Sequence, residues 1–127
     1  MFALTESTPV YLCRQPVDMR KGIDGLYKMV LGELHQHPLS GSVFVFFSRN
    51  RQCVKILRWD GDGFLLYHKR LERGTFEAPH FDAVSGAYRL PWKTFSLIME
   101  GISLRSVRYR KRLEIEFQET LQESDNQ

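Results

Sequence analysis

The hydrophobic positions of this chain change their spacing several times, and each change marks a predicted element. Residues 43–47 are apolar at every position, which is typical of a strand buried on both faces in the middle of a sheet. Residues 53–59 and 64–70 form two further strand-like runs, separated by the sequence DGDG at residues 60–63. Because Asp and Gly tolerate positive φ, this sequence favours a tight turn. We therefore predict a β-hairpin and, beside it in the sequence, the core strand of the sheet.

The hairpin also has a predicted register. If Trp59 pairs with Phe64, Lys55 lies opposite His68, and both faces of the hairpin carry apolar as well as basic side chains. The hairpin can therefore contribute to a core and to a charged surface at once.

A helix is predicted before the core strand. Asp18 stands where an N-cap acceptor would satisfy the first free amides, and the pattern ends near residues 35–38. Three glycines at positions 22, 25 and 32 are unfavourable inside a helix, and close packing or a later start would explain them. The apolar positions with helical spacing are Met19, Ile23, Leu26, Tyr27, Val30, Leu31 and Leu34.

Other elements are shorter. Residues 9–13 read as a strand, residues 92–102 as a short helix, and residues 107–117 alternate in a way that favours a strand. We expect an α+β fold, a single domain with a mainly antiparallel sheet packed against one or two helices. That domain is expected to span residues 1–118, and the polar residues 119–127 are expected to fray.

The charge is distributed unevenly. Net charge is only +3, but residues 114–127 hold five acids and no Lys or Arg, so residues 1–113 carry 18 basic and 10 acidic groups. Such a surplus favours a polyanionic partner, because each cation that neutralises a phosphate releases a counterion. A solvated basic surface without a partner is the alternative.

Basic residues are interleaved with aromatic ones, a pattern typical of nucleic-acid surfaces. The alternative is that the aromatic side chains belong to the core and the arginines to its solvated edge. The candidate nucleic-acid contacts are Arg20, Lys21, Arg49, Arg51, Lys55, Arg58, Trp59, Lys69, Arg70, Arg73, Arg105, Arg108, Arg110, Lys111 and Arg112.

Catalytic motifs find little support. Asp60, Asp62 and Glu72 could in principle hold the metal ions of a nuclease, but turn chemistry already explains the two aspartates. The chain contains no nucleophile elbow, phosphate-binding loop or dinucleotide fingerprint. We expect no catalytic residues, no metal and no cofactor, with a metal-dependent nuclease as a remote alternative.

Cysteine usage and hydropathy bear on location. Cys13 and Cys53 form no C-x-x-C pair, the first residues do not resemble a secretory leader, and no apolar run approaches the length of a membrane span. We expect a cytoplasmic protein that does not insert into membranes.

Five blocks of sequence carry a resemblance to a known family: VDMRKG at residues 17–22, DGL at 24–26, PLSG at 38–41, KILRWDGDGF at 55–64 and YHKRLERGTF at 67–76. In these blocks the chain resembles the TnpB accessory protein, the second open reading frame product, of insertion sequence family 66. The resemblance covers residues 10–79, with a weaker echo at 97–101, and does not extend to 105–127.

The resemblance implies an accessory protein encoded beside a separate DDE transposase, which assists DNA transposition and has no established catalytic residues. DNA and the cognate transposase are then the expected partners, and a pure transposase adaptor without DNA contact is the alternative. Homo-oligomerisation is left open.

Overall fold

The computed structural model describes residues 4–77 and 86–100. In chain order its elements are β1 (Val10–Cys13), α1 (Ile23–Gly32), β2 (Val43–Phe47), β3 (Cys53–Trp59), β4 (Phe64–Arg70), β5 (Ala87–Leu90) and α2 (Trp92–Met99).

The strands form one sheet in the order β4-β3-β2-β1-β5. β1 and β2 are parallel, and every other pair is antiparallel. The fully apolar run at Val43–Phe47 is the central strand, buried at all five positions. The prediction of an α+β fold, a single domain with a mainly antiparallel sheet packed against one or two helices, is confirmed.

The alternation of side chains along β2 divides the core between two faces. Phe44 and Phe46 pack with Leu26 and Val30 of α1 on one face. On the other face, Val45 and its neighbours pack with α2 and with the segment that follows β4. Each helix therefore covers one face of the sheet, which is why β2 has to be apolar at every position.

The hairpin has the predicted register. Trp59 pairs with Phe64, and the ladder continues through Lys55 and His68 to Cys53 and Arg70. At the turn, the Asp60 N–H donates to the Gly63 carbonyl oxygen over 2.8 Å, and Gly61 adopts a φ of +76°. A glycine is favoured at that position because most other residues are strained in the left-handed region.

The helix α1 is shorter than predicted. It begins at Ile23 with Gly22 as its N-cap residue and ends at Gly32, so the prediction of Asp18 as its N-cap was wrong. Residues 18–21 instead form a separate turn, in which the Lys21 N–H donates to the Asp18 carbonyl oxygen over 3.1 Å. Met19 and Leu34 still pack on the same core from outside the helix, which is why the helical spacing extended beyond its ends.

Other differences concern the C-terminal half. β5 was not predicted, because a four-residue edge strand with Arg89 at its centre alternates too briefly to be recognised. The predicted helix 92–102 is present but ends at Met99. The predicted strand 107–117, the cations of 105–112 and the tail 119–127 lie outside the described residues. Neither described helix has the length and apolar character of a membrane span.

Two leucines on α1 allow a matched test of this packing. Leu26 is fully buried, whereas Leu31 is 49% exposed. We expect Leu26→Ala to lower the free energy of unfolding by about 2–5 kcal/mol, since it leaves a cavity beneath the sheet. The control Leu31→Ala should change it by less than about 0.5 kcal/mol. Urea unfolding measures both, and equal losses would contradict the placement of α1.

Candidate nucleic-acid interface

Several chain segments meet at one end of the sheet because of its strand directions. β2 and β4 end there and β3 begins there, since β3 is antiparallel to both of them. β1 also ends there, because it runs parallel to β2. We call this end, with residues 14–22, 48–52 and 69–77, the basic end.

Backbone hydrogen bonds join these segments. The Leu71 N–H donates to the Gln52 carbonyl oxygen over 2.8 Å, and the Phe76 N–H donates to that of Arg51 over 2.8 Å. The Val17 N–H donates to the Phe47 carbonyl oxygen over 2.9 Å, which ties the chain after β1 to the end of β2. The basic end is therefore a built surface, in which the segments hold one another in place.

Most of the candidate cations in the described residues lie at this end. The structure exposes the side chains of most of them, while Arg51 and Lys69 are half-buried. Burial lowers the pKa of the Arg51 guanidinium, and the charge of Glu77 opposes that shift. The candidates gathered here are Arg20, Lys21, Arg49, Arg51, Lys69, Arg70 and Arg73.

Carboxylates at the basic end pair with some of these cations at the surface. The Arg20 guanidinium lies 2.7 Å from the Asp18 carboxylate, and that of Arg70 lies 3.5 Å from Glu72. Exposed pairs of this kind contribute little to stability. A phosphate group can therefore compete for either guanidinium at small cost.

Lys55 was predicted as a nucleic-acid contact, and its position does not support that role. It is only 7% exposed, on the face of β3 that α1 covers. Its ammonium donates to the carbonyl oxygens of Met19 and Lys21, over 2.8 and 2.6 Å. Two of the three ammonium donors are thus bonded to the protein backbone, and the mostly buried side chain does not fit a surface contact with phosphate.

Arg58 and Trp59 lie at the opposite end of the hairpin from the basic end, so the predicted set does not form one surface. The Arg58 Nε donates to the Gly41 carbonyl oxygen over 3.1 Å. The Trp59 ring is half-buried and packs edge-on against Phe64, with ring centroids 5.0 Å apart. The sequence pattern alone did not distinguish these two residues from the other candidates. The strand pairing is needed to show which residues lie at the turn of the hairpin and which lie at its open end.

The carboxylates proposed for a nuclease are also far apart. Asp60 and Asp62 precede β4 and Glu72 follows it, so the seven-residue strand separates them by roughly 20 Å. Ligands of a two-metal centre have to surround ions only about 4 Å apart. These three residues cannot share such a centre, and within residues 4–77 and 86–100 no cluster of three metal-binding side chains occurs.

One cation at the basic end was missed by the sequence reasoning. Arg14 directly follows β1, and its N–H donates to the Gly86 carbonyl oxygen over 3.3 Å. Its guanidinium lies 5.7 Å from the centre of the Tyr88 ring, a cation–π contact with β5. The sequence did show that Arg14 follows a predicted strand. It did not show how that strand pairs in the sheet, so Arg14 could not be assigned to the basic end.

The Asp18–Arg20 pair gives a direct test of the geometry. Hydrogen bonds from the Arg20 side chain, and then from its backbone N–H, hold the pKa of Asp18 at about 2. Since the pKa is depressed in the folded state, the carboxylate favours folding above its ordinary pKa of 3.8, and this contribution is lost as the pH falls toward 2. We expect Arg20→Gln to raise the Asp18 midpoint in an NMR titration, with Arg73→Gln as the control that leaves it unchanged. A midpoint that Arg20→Gln does not move would contradict the pairing.

Comparisons with known proteins identify the family. The profile of the family described as IS66 Orf2 like protein matches residues 8–109. Two relatives from Sinorhizobium fredii (strain NBRC 101917 / NGR234) are similar: y4jC is 33% identical over 99 residues, which is 78% of this chain and 83% of its own. The second, y4hO, is 34% identical over 100 residues, or 79% and 85%, and both carry the description uncharacterized protein. No solved structure matches significantly. The chain therefore belongs to the IS66 Orf2-like family of insertion-sequence proteins.

Proposed function

We propose that this protein is a non-catalytic accessory factor for transposition and that it binds DNA through the basic end. Membership of the IS66 Orf2-like family supports the accessory role. The observation that carries DNA binding is the meeting of cations from three separate chain segments at one end of a hydrogen-bonded scaffold. The core alone does not explain this arrangement, since these guanidinium and ammonium groups are mostly exposed.

The dimensions of the basic end fit a DNA backbone. The ends of β4, β3, β2 and β1 lie side by side there, and at about 4.8 Å between strands these four span roughly 15 Å. Duplex DNA carries one charge per about 1.7 Å of its axis, so several phosphates lie within reach of such a surface. Trp59 is at the other end, which removes the predicted stacking ring from this surface. We therefore propose contacts with phosphates, which position a protein on DNA without reading its sequence.

Charge-matched variants test the proposal. We expect Arg49→Gln/Arg73→Gln to weaken binding to labelled element-end DNA and to lower the slope of log affinity against log salt by about 2, one for each lost phosphate contact. The control Lys28→Gln/Lys93→Gln removes the same charge from exposed positions on the two helices and should leave the slope unchanged. Fluorescence anisotropy at several salt concentrations measures both.

The outcomes separate the alternatives. An equal loss of DNA affinity in both double variants would mean that only the net charge of the protein matters. Undetectable binding by the wild type at low salt would exclude DNA as a partner. The same titration on Arg108→Ala/Arg110→Ala/Arg112→Ala measures what the predicted C-terminal contacts add.

A second candidate function, contact with the cognate transposase, is favoured by an apolar surface that runs along α1 from beside the basic end toward the hairpin tip. On α1, Ile23 and Leu31 are 36% and 49% exposed, beside the buried stripe of the helix. Tyr27 lies between them at helical spacing and meets Phe64 edge-on, with ring centroids 5.8 Å apart. Phe64 in turn contacts Trp59, so aromatic side chains continue from the helix to the hairpin tip. Aromatic groups of this kind are enriched in protein interfaces.

Two neighbouring positions on α1 test this surface. We expect Leu31→Gln to weaken capture of the purified transposase by on the order of tenfold, since the loss of one central apolar contact costs about 1–2 kcal/mol. Lys28→Gln is the control, and DNA binding should be the same in Leu31→Gln and wild type. Pull-down after nuclease treatment measures the capture, and a signal that depends on DNA, or is equal in both variants, would argue against the adaptor role.

A further inference from the structure

The burial of Lys55 is the least expected feature of the sheet. Its position on β3 is on the face that α1 covers, with the buried Phe46 of β2 on one side and the exposed His68 of β4 on the other. Only 7% of the residue is exposed, although its side chain ends in an ammonium. Burying an ammonium is costly unless hydrogen bonds replace its hydration. Here two backbone carbonyl oxygens do so, those of Met19 and Lys21, and both belong to the turn before α1.

These two bonds fix the turn relative to the sheet. The Val17 N–H is bonded to the end of β2, and the Lys21 N–H closes the turn on Asp18. Lys55 holds the carbonyl groups on either side of Arg20, whose own side chain is 91% exposed. The backbone of the turn therefore faces the protein, and the charged side chain between the two carbonyl groups faces solvent.

The charge of Lys55 is compensated by these dipoles rather than by a carboxylate. Within residues 4–77 and 86–100, neither ion pair involves its ammonium. A fold that only needed to fill this position could use an apolar side chain of similar length, since well-packed apolar replacements of buried charges are often neutral or stabilising. The lysine is therefore better explained by the conformation that it imposes on residues 19–21.

We propose that Lys55 is a positioning residue for DNA binding, which acts by holding the turn of residues 18–21 so that Arg20 and Lys21 face the phosphates together with the other cations of the basic end. This inference rests on the proposed DNA binding. Lys55 itself touches no phosphate, and its removal acts through the two cations that it positions.

A mutant cycle tests this. We expect Lys55→Met to lower the salt slope of DNA binding by about 2, as Arg20→Gln/Lys21→Gln does, since both changes remove the same two phosphate contacts. The triple variant should bind no more weakly than Arg20→Gln/Lys21→Gln, because the contacts that Lys55 supports are already absent. Affinity at moderate salt should fall by on the order of tenfold in all three variants.

A control separates positioning from a loss of stability. Ile56→Ala lies next to Lys55 on the opposite face of β3 and should destabilise the fold while leaving the salt slope of the folded protein unchanged. Lys55→Gln, whose neutral side chain is one bond shorter and does not hold both carbonyl oxygens, serves as a second variant where Lys55→Met does not fold.

The outcomes are distinct. Absence of DNA binding in the wild type would reject the proposed function itself. Binding by the wild type together with an unchanged slope in folded Lys55→Met, or in Lys55→Gln, would overturn the positioning role alone. Additive losses in the triple variant, or failure of both Lys55 variants to fold, would assign the lysine to stability and would overturn it as well.

Discussion

The burial of β2 on both faces determines where the rest of the chain can go. A strand of five apolar residues at the centre of a sheet needs a partner strand on each side and a helix on each face. β1 and β3 supply the first, and α1 and α2 supply the second. Because β1 is parallel and β3 antiparallel to β2, the segments that follow β1 and β2 leave the sheet at the same end. The basic end is a consequence of this topology.

The same topology separates charge from apolar surface. The hairpin of β3 and β4 runs the full length of the sheet, so its turn lies at one end and its open end lies at the other. Aromatic side chains and Asp60 lie at the turn, while Arg70 and Arg73 lie at the open end. A protein with this arrangement can contact a polyanion at one end and still expose an apolar surface elsewhere. DNA binding and transposase contact are therefore compatible on one small domain.

Local chemistry made the fold largely predictable. The central strand, the hairpin and its register follow from the apolar run and from the turn sequence at residues 60–63, because these signals depend only on neighbouring residues. The predicted start of α1 was wrong because Met19 packs on the core from a turn. Hydrophobic periodicity alone cannot distinguish such a turn from the first turn of a helix. β5 was missed because its partner, β1, lies more than seventy positions earlier in the sequence. A pairing between strands so far apart in the sequence is not visible in the pattern of neighbouring residues.

The sequence predicted which kinds of residue make up the candidate site, but not which of them lie together on one surface. Sequence pattern identified most of the cations, yet it could not tell that Arg58 and Arg70 lie at opposite ends of one hairpin. It also treated Lys55 like the other lysines, because nothing in its neighbours marks it as buried. The difference lies in two carbonyl groups some 35 residues earlier in the chain, which are brought over the strand by the packing of α1. A cation in this fold therefore acts at the surface or beneath it according to long-range packing, and the charge pattern of the sequence alone does not decide which.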